Sequence, residues 1–428
     1  MTSEIKQRIE QINNGQVPTG YKETEFGIFP SDWVTDKKLK DIGSFDKGRG
    51  LPGDKMRDSG VPCVGYGDIY MKYNNFHFEE AENFVDEDTA SESLPIEKGT
   101  LLFTGTGETA EEIGKCVCYN GDETIYAGGD IITFKTNEVN PLFLAYQQYQ
   151  SYSFARKASF GQGHSVVHIH ADNLEKLNVA YPKSTAEQEK IAEILMKWDK
   201  AIELQEKYIE KANQQRIFLL KKVFEPKQNW SYQTLGDNVD LLASGGTPST
   251  KILKYFDGNI VWVSIDDISQ SGKYISKSNR TLSLEGLQNS SAKLFPKGTI
   301  LYAIYASIGK CAIANIDCAT SQAIIGIVPS NNSFDNQYLY YYLCSIQERI
   351  STQGQQGTQA NLNKGLVESF KIPTPMKDGK IDIDEQKQIS KILIAIDNTI
   401  TLNTKKLESI KQQRKALQQY LLNGIVRV

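Results

Sequence analysis

The sequence predicts an α+β protein with α/β-like heads: two pseudo-twofold-related globular domains separated by a long antiparallel two-helix coiled coil. Three observations carry this. The stretch from Glu187 to Phe224 spaces its apolar residues as one face of a long helix. The stretch from Glu385 to Leu422 repeats that pattern 198 positions later. The segments ahead of the two stretches share short motifs in the same order.

The helices come first because their signal is the longest. In the first, Ile191, Leu195, Trp198, Ile202, Ile209 and Leu219 recur at steps that keep them on one seam. In the second, Ile389, Leu393, Ile396, Ile400, Leu407 and Leu417 take the equivalent places. Ala212 matches Ile410, and Val223 matches Leu421. Two polar seam positions coincide as well, Gln205 with Asn403 and Arg216 with Arg414. Polar residues in an apolar seam fix register at a cost in stability. Pro182 and Pro226 bracket the first helix and Pro373 and Pro375 precede the second, while neither helix contains a proline. Most helical stability in water comes from packing, so each helix needs a partner.

The repeat extends upstream. "KGTLLF" (98–103) matches "KGTILY" (297–302), "GYGDI" (65–69) parallels "SIDDI" (264–268), and "GKC" recurs at Gly114 and Gly309. The chain then divides into an N-terminal segment (1–30), a first head (31–181), a first long helix (182–227), a second head (228–374) and a second long helix (375–428). The second head begins where the first helix ends, and domain termini often lie close together. The second helix is therefore expected to run back antiparallel to the first. Its C-terminus would meet residues 1–30, completing a ring.

Each head reads as short β-branched and aromatic runs cut by Gly, Asn and Asp, with helical stretches between. "NIVWVSI" (259–265), "TILYAIY" (299–305) and "AIIGIV" (323–328) are the clearest strands. "NPLFLAYQQYQSYSFARK" and "NQYLYYYLCSIQERIS" are the clearest helices. A mixed sheet is expected in each head.

Composition excludes several classes. The 428 residues are 39% hydrophobic and 23% charged, as in soluble globular proteins. No run is long and apolar enough to span a bilayer, and the N-terminus lacks the apolar stretch of a signal peptide. A cytoplasmic location is expected. The six cysteines contain no CxxC pair and read as reduced thiols. No active-site motif is present. "EEIGKC" and "YASIGKC" lack the other glycine and the Ser/Thr of a phosphate loop, and GxSxG and HExxH are absent. No Asn/Asp-Pro-Pro-aromatic motif of an amino-methyltransferase occurs. His164, His168 and His170 cluster, but the second half has Gly357, Asn361 and Asn363 at about these places, so no metal site is assigned.

The chain resembles the specificity (S) subunit of type I restriction–modification enzymes. The residues that carry the resemblance are "GGTPSTK", "GNIVWVSIDDI", "KGTILYAIYASIGK", "TSQAIIGIVP", "QGTQANLNK" and "IPTP", the opening "GYKETEFGIFPSDW", and a Pro and a Glu-Gln pair before each long helix. It covers nearly the whole chain and is strongest over residues 244–428. The first head has "KGRGLPGDK" in place of the GGTPS loop. The resemblance implies that each head is a target-recognition domain reading one half of a bipartite asymmetric DNA sequence. It also implies that the helix pair sets the unspecified spacer. The partners implied are double-stranded DNA, two methyltransferase (modification) subunits and motor–nuclease (restriction) subunits. S-adenosylmethionine, ATP and Mg would belong to those subunits. This chain would have no cofactor and no catalytic activity of its own.

The candidate DNA-facing residues lie in Gly-rich polar loops that correspond between the heads. In head 1 they are Lys47, Arg49, Lys55, Arg57, Thr106, Gln162, His164 and Ser165. In head 2 they are Thr247, Ser249, Lys251, Ser307, Gln322, Thr358, Gln359 and Asn361. Such side chains hydrogen-bond phosphates and base edges. Charge cuts the other way: residues 31–181 carry 14 Lys/Arg against 24 Asp/Glu, and residues 230–375 carry 11 against 10. That excess favours a rival reading, a coiled-coil scaffold whose heads bind proteins. A specificity subunit of a related modification or defence system outside type I is the nearer alternative.

Overall fold

The computed structural model describes residues 2–73, 76–163, 166–355 and 362–428. The chain forms two compact units. One comprises Met1–Gln205 together with Lys406–Val428, and the other comprises Glu206–Lys405. Each unit thus holds one head and a portion of both long helices.

In the first unit a five-stranded sheet has the order Gly43–Lys47, Ile131–Thr136, Leu101–Thr104, Cys116–Tyr119, His77–Phe78. All its pairings are antiparallel except the last, where Cys118 lies opposite His77 in parallel. A four-stranded sheet has the order Asn83–Val85, Val61–Val64, Ile125–Ala127, Leu94–Ile96. "LLFT" and "CVCY" are apolar without alternation because both faces of the larger sheet are covered. Leu101, Phe103, Cys116 and Cys118 join one cluster, while Leu102, Val117 and Tyr119 join another on the opposite face.

The second unit repeats this plan. Its five-stranded sheet runs Val239–Ser244, Ile324–Pro329, Ile300–Ala303, Cys311–Ala314, Tyr274–Ile275, again with one parallel pairing at the far edge. Its four-stranded sheet runs Arg280–Leu282, Phe256–Val263, Cys318–Thr320, Leu294–Phe295. Ile300 and Tyr302 face one cluster and Leu301 the other.

The long helices are Thr185–Lys222 and Ile383–Leu422. The Glu-Gln pair at each start has a structural task. Gln188 accepts the Asn140 N–H at 2.7 Å and donates to the Pro182 carbonyl. Gln386 accepts the Asp335 N–H at 2.8 Å and donates to the Ser333 carbonyl. Both amides are fully buried, so the helix start is stitched to the head through otherwise unsatisfied backbone groups. Glu187 receives Arg427, and Glu385 receives Lys227 and the Trp230 indole N–H.

Within each unit the helix portions run antiparallel. In the first, Glu187 meets Arg427 and Asp199 meets Arg414. In the second, Arg216 meets Asp397 and Lys227 meets Glu385. The apolar seam merges with the head cores. Ile191, Leu195, Leu421 and Leu422 pack with Phe143 and Tyr146, and Leu220, Phe224, Ile389 and Leu393 pack with Tyr338 and Tyr341. Of the twelve seam residues, Ile191, Leu195, Ile389, Leu393 and Ile396 are buried, and the other seven are half-buried.

The two arginine positions of the seam hold ion pairs. Arg414 Nε lies 2.7 Å from Asp199 Oδ1, and Tyr146 donates its hydroxyl to Asp199 Oδ2 at 2.7 Å. The guanidinium also stacks over Phe76, 4.3 Å from the ring centre. In the second unit Arg216 Nε donates to Asp397 Oδ1 and Tyr341 donates to Asp397 Oδ2 at 2.7 Å. Each station takes its arginine from one long helix, its aspartate from the other and its tyrosine from the head.

Residues 2–30 and the C-terminus belong to the first unit. Arg8 donates to the Ile425 carbonyl at 2.6 Å, Tyr21 donates to the Gly424 carbonyl at 2.6 Å, and Arg427 bridges Asp32 and Glu187.

Candidate nucleic-acid interface

Strand ends decide where the polar loops emerge. In the first unit, Ile132 lies opposite Lys47 on one side and Ile131 lies opposite Thr104 on the other. The loop after Lys47 and the loop after Thr104 therefore leave the same end of the sheet. Gly48 N–H bonds the Ile131 carbonyl at 2.8 Å and Gly105 N–H bonds the Asp130 carbonyl at 2.8 Å. A Cβ on Gly48 would lie 1.9 Å from the Gly128 carbonyl oxygen, so only glycine permits this approach.

Beyond Gly105, Thr106–Gly107 pairs antiparallel with Val167–His168. Thr106 and Gln162 both face His168: Thr106 Oγ1 is 3.2 Å from His168 Nδ1, and Gln162 and His168 exchange backbone hydrogen bonds. Tyr70 ties this strand pair to the helix Tyr66–Met71, with its hydroxyl 2.8 Å from Thr104 Oγ1 and 3.2 Å from the Thr106 carbonyl. Burial pushes the Tyr70 phenol up, so it stays a neutral donor.

Lys47, Arg49, Lys55 and Gln162 are exposed, and Thr106 is half-buried. Arg57 is exposed and pairs with Asp86 at 2.7 Å. His164 and Ser165 lie outside the described residues.

The second unit has the same construction. Ser244 lies opposite Ile325, and Ala303 lies opposite Ile324. The loops bearing Thr247, Ser249 and Lys251, and the turn bearing Ser307, thus leave one end of the sheet, where Gln322 precedes the strand Ile324–Pro329. The GGTPS loop is held down by Gly246, whose N–H bonds the Thr320 carbonyl and whose carbonyl accepts the Trp262 indole N–H at 3.0 Å. Ser307 has a φ of 63° and its hydroxyl lies 3.3 Å from that of Ser269. Ser249, Lys251, Ser307 and Gln322 are exposed and Thr247 is half-buried. Thr358, Gln359 and Asn361 lie outside the described residues.

Sequence reasoning missed Tyr70 and Ser269 as parts of these loop clusters, and marked His168 only within the histidine cluster of its loop. For Tyr70 and Ser269 the signal was available: they follow the matched pair "GYGDI" and "SIDDI" directly. These clusters supply hydrogen-bond donors and acceptors. Among the described residues no group of three His, Cys, Asp or Glu side chains converges as a metal site requires. The acidic residues Glu79, Glu80, Glu82, Glu87, Asp88 and Glu92 are all exposed. Among the described residues no helix is long and apolar enough to cross a membrane.

Comparison with known proteins defines the class. The model for the type I restriction modification DNA specificity domain matches twice, over residues 30–214 and 227–412. The chain belongs to this family. A putative type I restriction enzyme MjaX specificity subunit from Methanocaldococcus jannaschii is 27% identical over 436 residues, covering 95% of this chain and 97% of that protein. The MjaVIII specificity subunit of the same organism is 23% identical over 367 residues, covering 79% of this chain and 81% of its own. Among solved structures, the S subunit of a type I restriction-modification system from M. genitalium superposes with a TM-score of 0.57 at 16% identity, covering 91% of this chain and 96% of that one. A chain from a structure on complex assembly and conformational transition of the type I R-M system gives 0.59 at 14% identity, covering 96% and 100%. These likenesses support the fold: mixed α/β with two repeated domains and long helices.

Proposed function

We propose that this specificity subunit reads a bipartite, asymmetric DNA target, one half per head, and that the helix pair sets the unspecified spacer between the halves. The observation that carries this reading is the recurrence of one loop-bearing sheet end in both units, formed by matched strands but bearing different side chains. Base readout needs only a few donors and acceptors at a fixed place. Different side chains at equivalent places yield different half-sites, hence an asymmetric target. The chain itself performs no chemistry. It directs two methyltransferase subunits, which carry S-adenosylmethionine, and motor–nuclease subunits, which use ATP and Mg. Because the first head is net acidic, those partners supply part of the phosphate contact, and the complex works in the cytoplasm. The test is methylome sequencing of a host with and without this chain. One bipartite motif should lose modification when the chain is removed, and an unaltered methylome would overturn the reading.

A further inference from the structure

We propose that Cys311 and Cys344 form a thiol–disulfide exchange site whose reactant is a small aliphatic disulfide of the oxidised glutathione type. Cys311 opens the strand Cys311–Ala314 of the second unit's larger sheet, and Cys344 lies on the helix Asn336–Gln355 that packs on that strand. Their sulfurs are 3.5 Å apart although the residues are 33 positions apart in the chain. A disulfide bond is about 2.05 Å long, so the sulfurs need to approach by about 1.5 Å to form one. Both residues are partly exposed, whereas Cys63, Cys116, Cys118 and Cys318 are fully buried.

The two thiols are not equivalent. The hydrogen bond from Cys311 holds Cys344 below the ordinary thiol range, and the nearby positive charge of Arg216 acts in the same direction. That bond and burial push Cys311 up. The Cys344 thiolate is therefore the attacking group. It displaces one sulfur of the small disulfide, whose leaving thiolate takes up the proton that Cys344 gave up. Cys311 then attacks the Cys344 sulfur of the mixed disulfide, and its proton goes to the second leaving thiolate. Two protein thiols are oxidised to one disulfide, and one small disulfide is reduced to two thiols. The product ties the strand Cys311–Ala314 to the helix that carries Tyr341, the residue that holds Asp397.

The experiment incubates the full-length chain with excess oxidised glutathione and follows intact mass and peptide maps. The expected product has lost two hydrogens and joins the peptides containing residues 311 and 344, while the other four cysteines remain alkylatable after unfolding. Before oxidation, iodoacetamide should label Cys344 ahead of Cys311. C311S and C344S should form no internal bond, and C311S should stop at the mixed disulfide. Should either variant fail to fold, the wild-type map decides alone. Two free thiols after oxidation, a stable glutathione adduct with no cross-link, or a bond to any other cysteine would overturn the assignment.

Discussion

Arg414 has a side chain only 8% exposed and faces Asp199 at 5%, whereas Arg216 and Asp397 are 26% and 22% exposed. The same three residue types thus sit in two different dielectric settings. Removing one member of a buried pair leaves an uncompensated charge, at a cost of about 3–5 kcal/mol. Exposed pairs contribute far less, on the order of 1 kcal/mol. Arg414→Met should therefore lower urea stability by about 3–5 kcal/mol and Arg216→Met by roughly 1–2 kcal/mol. Equal losses in the two variants would show that burial does not set the difference. The seam spacing identified both arginines. It did not identify Asp199 and Asp397, which follow Trp198 and Ile396 and so fall one position off the seam, where an acid ordinarily faces water. The tyrosines were invisible for another reason: they come from the heads, and no local pattern reports a contact made across 53 or 56 positions.

Lys157 extends this to pH. Its side chain is buried, its ammonium donates to the Gly114 carbonyl at 2.8 Å, and burial brings its pKa down to about 8. The folded state disfavours the charged form, since the ordinary value is 10.5. The penalty is full below pH 8 and is relieved as pH rises toward 10.5, over a range worth on the order of 3 kcal/mol. The stability of the wild type relative to Lys157→Met should accordingly rise between pH 8 and 10.5, and a flat difference would contradict this. Its neighbours in "SFARKASF" gave no sign that this lysine points inward.

At the scale of elements, the Asp199–Arg414 and Arg216–Asp397 pairs share one register, since the residue numbers of each pair add to 613. Removing seven residues from both long helices keeps the two sums equal. Removing seven from one makes them differ by a heptad. Deleting Ile202–Tyr208 together with Ile400–Lys406 shortens each helix by about 10 Å. Under the proposed ruler, the preferred spacer should contract by roughly 3 base pairs at 3.4 Å each. Affinity should fall as well, because the half-sites then rotate by nearly a third of a turn about the duplex. Methylation across a spacer-length series reads this directly, and an unchanged optimum in the folded double deletion would sink the ruler. Either single deletion should lose stability instead. The helices were legible because apolar residues held to a period of seven over eight of ten seam layers can share one face only on a helix. The strands were legible as apolar runs, but sheet order was not, because pairing depends on residues far apart in sequence. The loop clusters were half legible: glycine and polar residues marked the loops, while the shared sheet end became visible only through the register of Ile131 and Ile324.

At the scale of the molecule, matched heads predict modular specificity. Replacing residues 31–181 with the corresponding segment of another family member should change one half of the methylated motif and leave the other. A swap that altered both halves would argue against independent reading.

The first unit also has an unusual composition in time. Its tail contacts, from Arg8 to the Ile425 carbonyl and from Arg427 to Asp32 and Glu187, join residues that precede the second unit in the chain to residues that follow it. The second unit is a single uninterrupted segment, Glu206–Lys405. On the ribosome, the half whose sequence emerges later can therefore close first. The half that emerges earlier waits, its groove for the returning helix unfilled, until translation has passed Arg427. A nascent chain stalled near residue 405 would present an unfinished amino-terminal half to chaperones and proteases.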